Sequence, residues 1–81
     1  MGEPRKLLSV DYRTLIKLFE LADFVVSRQK GDHISMTKAG VLRPLVLKTS
    51  PRKVPVAHIR TNMTTAGMTR ERFFELLDQV S

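Results

Sequence analysis

Apolar residues in the first third of the chain recur with helical spacing. Tyr12, Leu15, Ile16, Phe19 and Ala22 follow the i, i+3, i+4 rhythm of one buried face, which Leu18 and Leu21 widen. The pattern predicts a helix from Val10 to Ala22, with Ser9 as N-cap and Asp11 in the first turn, where the helix dipole favours a negative charge. Asp23 follows as a stop, since aspartate tolerates the left-handed conformation better than most residues. The rhythm then shortens to that of strands. Phe24–Gln29 is β-prone, and Lys30-Gly31-Asp32 is a hairpin signal. His33–Met36 alternates, with Ile34 and Met36 on one face and His33 and Ser35 on the other. Lys38-Ala39-Gly40 marks a second turn. Val41–Lys48 reads as a third strand, at a sheet edge or beginning after Pro44, because proline donates no ladder hydrogen bond.

Helical spacing returns after the loop Thr49–Lys53. Pro55 suits a helix start, and Val56, Ile59, Met63 and Ala66 form one stripe ended by Gly67. Thr69 caps a short last helix carrying Phe73, Leu76, Leu77 and Val80. Residues 1–8 are expected to form a loose arm before a single domain over 9–81. The economical fold is α+β: a three-stranded antiparallel meander with the helices on one face. The other sheet face, with His33 and Ser35, then meets solvent.

Composition narrows the chemistry. With 81 residues, 42% hydrophobic, the chain has material for one core. The absence of cysteine removes disulfides, thiolate-bound metals and thiol nucleophiles. No apolar run approaches the ~20 residues of a membrane helix, and the first eight residues lack the apolar centre of a signal peptide. The expectation is a cytoplasmic protein without membrane association. The net charge of +6 is concentrated: residues 24–60 hold Arg28, Lys30, Lys38, Arg43, Lys48, Arg52, Lys53 and Arg60 against Asp32 alone. Such a block suits a polyanion such as RNA, or an acidic protein partner.

His33 is the most reactive candidate in that field. Imidazole exchanges a proton near neutral pH, and RNA carries its own nucleophile, the 2′-hydroxyl. A cleaving site then needs little beyond proton transfer and cations for the phosphate. A lone strand histidine is also a common structural residue, and chemistry alone leaves both readings open. His58 precedes core position Ile59, and nothing in the sequence brings it to His33. The two histidines lack the acidic cluster of a metal site, and no glycine-rich phosphate loop or serine elbow is present; no cofactor is expected. The five aromatics fall at core positions, which disfavours a stacking platform for single-stranded bases and leaves shape and phosphate recognition.

The run Phe24-x-x-x-Arg28-Gln29-Lys30-Gly31-Asp32-His33, preceded by Leu8-Ser9 and an amphipathic helix, resembles the HicA-type mRNA interferase toxins (YcfA-like). Met63–Phe73 is similar to the closing helices of that family, so the resemblance spans residues 8 to 80. It implies an αβββα fold like the double-stranded RNA-binding domain, a metal-independent endoribonuclease acting on messenger RNA, and a HicB-like antitoxin partner. It maps the catalytic histidine onto His33. Asp32 stands where serine is commoner, and Ala57-His58-Ile59 where Gly-Thr-Leu is usual. Candidate phosphate contacts are Arg28, Lys30, Lys38, Lys48, Arg52 and Lys53. The rival readings are a non-catalytic RNA-binding module and a basic protein-interaction domain of the same fold.

Overall fold

Two short segments far apart in sequence decide where the first helix starts. Val10–Asp11 (β1) pairs antiparallel with Lys53–Val54 (β5), Val10 opposite Val54 and Asp11 opposite Lys53. This pairing holds Val10 and Asp11 extended, so helix α1 spans Tyr12–Leu21 rather than starting at Val10. Its N-cap is therefore Asp11 and not Ser9: an Asp11 carboxylate oxygen accepts from the Arg13 amide at 2.9 Å. At the other end Asp23 adopts the expected left-handed conformation, φ 72°. The Phe24 amide then reaches back to the Phe19 carbonyl at 3.0 Å, and the two rings meet edge to face at 5.9 Å. That backbone closure with an accompanying apolar contact is a Schellman-type stop.

The computed structural model describes residues 5–81. Strands β2 (Val25–Lys30), β3 (His33–Thr37) and β4 (Leu45–Lys48) form a three-stranded antiparallel sheet in the order β2-β3-β4. The meander read from the sequence is present, and β4 begins after Pro44. Gly31, φ 58°, takes the first position of the two-residue turn between β2 and β3, where a type II′ hairpin needs positive φ. Helices α2 (Val56–Ala66) and α3 (Arg70–Val80) follow. Gly67 ends α2 in the left-handed region, and the Thr69 hydroxyl accepts from the Arg72 amide to cap α3. Helix α3 is not the short element expected. It has the same 11 residues as α2, because Phe73 and Leu76 bury a full stripe.

Ile34, Met36, Leu45 and Leu47 cover one sheet face and share a single core with Leu15, Leu18 and Phe19 of α1, Ile59 and Met63 of α2, and Phe73 and Leu76 of α3. The expected loose arm is corrected over its described part. Leu7 is buried in this core. The Arg5 guanidinium lies 2.8 Å from the Asp78 carboxylate and 4.4 Å above the Phe74 ring, and Arg70 donates to the Arg5 carbonyl. Apolar burial and a nearby acidic side chain thus anchor Leu7 and Arg5. Residues 1–4 of the expected arm lie outside the described residues.

Helix α2 is tied to the sheet by one buried polar side chain, Asn62, 4% exposed. Its amide oxygen accepts from the Val46 amide at 3.2 Å, and its amide nitrogen donates to the Val46 carbonyl at 3.1 Å. The side chain stands in for a missing fourth strand, closing the β4 edge at one residue.

Candidate functional site

The register across the sheet brings cations to both sides of His33. It lies opposite Lys30 on β2 and opposite Lys48 on β4. Directly opposed residues in an antiparallel ladder share a face, with Cβ atoms about 5 Å apart. The row Lys30–His33–Lys48 therefore crosses the open face of the sheet. A second row, Arg28–Ser35–Val46, runs beside it.

A break in β2 makes the first two cations available. Val26 pairs with Met36, whose side chain faces the core, and strict alternation would put Arg28 and Lys30 on the Met36 side of the sheet, away from His33. The register slips between Val26 and Arg28, so that Ser27 is an extra residue whose hydroxyl donates to the Ser35 carbonyl at 3.2 Å. One inserted residue moves every later side chain to the other face. Arg28 and Lys30 consequently join His33 and Ser35 around an open groove of about 480 Å³.

His33 has a carboxylate against one ring nitrogen. Its Nδ1 lies 3.0 Å from Asp32 Oδ1, and the His33 side chain is 52% exposed. The Asp32 backbone is itself held, because its carbonyl accepts from the Thr49 amide at 2.8 Å. This arrangement turns Nδ1 toward the carboxylate and leaves Nε2 for a ligand. The arrangement can offer Nε2 as a hydrogen-bonding and proton-transfer atom and hold an anion between Lys30 and Lys48.

A second groove, of about 370 Å³, also reaches His33. Val46 and Lys48 of β4 line it with His58, Thr61 and Thr65 of α2, and Arg43 and Pro44, just before β4, complete the lining. His58, Thr61, Asn62 and Thr65 are neighbours on one helical face. Their spacing is visible in the sequence as a polar stripe beside the apolar stripe of Val56, Ile59 and Met63. That stripe was the signal for His58, which sequence reasoning did not select; Arg43 was visible only as one cation of the basic block.

The candidate cations separate into two sets. Arg28, Lys30 and Lys48 surround His33. Lys38 follows the far end of β3, with its ammonium 5.6 Å from the Phe24 ring centroid. Arg52 pairs with Asp11 at 3.0 Å, and Lys53 lies opposite Asp11 in the β1–β5 ladder. These three line neither groove at His33. Among the described residues, no group of three or more His, Cys, Asp or Glu side chains is gathered, and no helix is long and apolar enough to cross a membrane.

No family model, curated protein or solved structure matches the chain.

Proposed function

We propose that the chain is a small endoribonuclease that cleaves messenger RNA, a toxin of the HicA type with a fold related to the double-stranded RNA-binding domain. The observation that carries this reading is the exposed His33 imidazole, set in register between Lys30 and Lys48 and backed by Asp32 at 3.0 Å. His33 Nε2 takes the proton from an RNA 2′-hydroxyl as that oxygen attacks the adjacent phosphorus. Asp32 orients the ring and stabilises the charge it acquires. Lys30 and Lys48 hold the non-bridging phosphate oxygens, where negative charge grows in the transition state.

The products are a 2′,3′-cyclic phosphate and a 5′-hydroxyl. In this reading the step is metal-independent: Asp32 is the one acidic residue between positions 24 and 60, too few carboxylates to gather a divalent cation on a cationic surface. A HicB-like antitoxin is the protein partner that this reading implies, and the cytoplasm is the compartment in which messenger RNA is met.

Expression of the wild type and of His33→Ala, with RNA ends mapped, tests the assignment. Growth arrest and new RNA ends are expected from the wild type alone, with His33→Ala folded and about 10²–10⁴-fold slower. RNA binding that falls with salt but no cleavage by the wild type would instead make the chain a non-catalytic RNA-binding module. No RNA affinity at low salt would make it a protein-interaction domain.

A further inference from the structure

We infer that His58 is the second proton-transfer group of this site, the general acid that protonates the leaving 5′-oxygen. The inference rests on the ribonuclease reading above and extends it to a residue outside the catalytic role that the resemblance implies. Its basis is placement: the chain has two histidines, on β3 and α2, and both line the same groove. At about 370 Å³ that groove falls within the roughly 300–1,000 Å³ range of small-ligand sites.

The placement is mechanically fixed. Asn62 lies one helical turn after His58 and grips both backbone polar groups of Val46. Val46 is paired with Ser35, and Lys48 with His33. The position of the His58 helix relative to the His33 row is therefore set by hydrogen bonds rather than by a loop. His58 is exposed on α2, so its imidazole is not committed to the core.

The chemistry asks for a group in this position. In an in-line displacement the attacking and leaving oxygens lie on opposite sides of phosphorus, so one imidazole cannot serve both at once. His33 has Nδ1 against the Asp32 carboxylate, which leaves Nε2 as the free ring nitrogen, and it is assigned the role of base. In the first step the O2′–P bond forms and the P–O5′ bond breaks. The 2′-hydroxyl proton passes to His33 Nε2, and a proton on the His58 imidazolium passes to O5′. The electron pair of the broken bond stays on O5′, and the two histidines end with their protonation states exchanged. Solvent returns each to its starting state.

The test uses an oligoribonucleotide spanning a site that the wild type cleaves, made with either oxygen or sulfur at the 5′-bridging position. A thiolate leaves without protonation, so the sulfur substrate bypasses a general acid and not a general base. His58→Gln is expected to cleave the oxygen substrate about 10²–10⁴-fold more slowly than the wild type, and the sulfur substrate at close to the wild-type rate. His33→Gln is expected to be slow on both. Recovery on sulfur also shows that the His58→Gln protein is folded. Wild-type rates for His58→Gln on the oxygen substrate, or equal losses on both substrates, would overturn the assignment of His58 while leaving His33 in place. A wild type that cleaves neither substrate nor any transcript would overturn the ribonuclease reading, and this inference with it.

Discussion

Replacing Asn62 by alanine should cost the protein a large share of its stability. The side chain is 4% exposed and makes two hydrogen bonds to Val46, at 3.2 and 3.1 Å. A net contribution of about 1 kcal/mol per bond gives a loss of ~2 kcal/mol. For a domain of this length each kcal/mol moves Tm by about 4–8 °C, so the midpoint should fall ~8–16 °C. The neighbouring Thr61 hydroxyl bonds only within its own helix, to the Ala57 carbonyl at 3.1 Å, and is exposed. Thr61→Ala should therefore stay within about 0.5 kcal/mol of the wild type and serves as the control. Thermal unfolding followed by circular dichroism gives both values. Hydrogen exchange adds a local readout: the Val46 amide should exchange faster in Asn62→Ala, because its partner is gone. A Tm change below about 2 °C, with Val46 protection intact, would refute the view that this side chain closes the β4 edge.

Three further outcomes follow from the same geometry. Asp32→Asn should lower kcat about fivefold, the equivalent of ~1 kcal/mol for a solvent-screened pair, while RNA affinity stays level; an unchanged kcat would remove Asp32 from the mechanism. Lys30→Gln and Lys48→Gln should each lower the salt slope of RNA binding by roughly 0.7–0.9, and Lys38→Gln, beside Phe24 at the far end of β3, should leave it unchanged. Equal slopes for all three in titrations would separate the basic block from the RNA footprint. Leu7→Ala should cost about 2–5 kcal/mol in urea unfolding because Leu7 is a core residue, whereas a loose arm would give no change.

What the sequence made legible was mostly local. Pro55, Gly67 and Thr69 mark helix ends through backbone chemistry confined to a few residues, and Asp23 does the same for α1. Lys30 and His33 flank a two-residue turn, so their pairing is also a local matter. The missed features depend on distant partners. Asp11 replaces Ser9 as N-cap because Lys53–Val54 pairs with Val10–Asp11. Arg28 and Lys30 face His33 because one residue is inserted at Ser27, which alternation alone would not place. Val25 and Val26 look like core residues by type, yet they sit exposed on the sheet's edge strand. Lys48 joins His33 only through the β3–β4 register, and His58 reaches the same groove only through Asn62 and Val46. Charge counting overreached in the opposite direction: Lys38, Arg52 and Lys53 belong to the basic block in sequence but stand apart from His33 in space.

The most direct measurement of the central claim replaces a single 2′-hydroxyl. An oligoribonucleotide cut by the purified protein is remade with 2′-deoxy at the cleaved nucleotide, and both are assayed with EDTA present. The account predicts that the all-ribose strand is cut to a 2′,3′-cyclic phosphate and a 5′-hydroxyl. The deoxy strand should bind with nearly unchanged affinity and remain intact. Efficient cleavage of the deoxy strand, or activity that vanishes with EDTA and returns with magnesium, would contradict proton transfer from the RNA's own hydroxyl to His33.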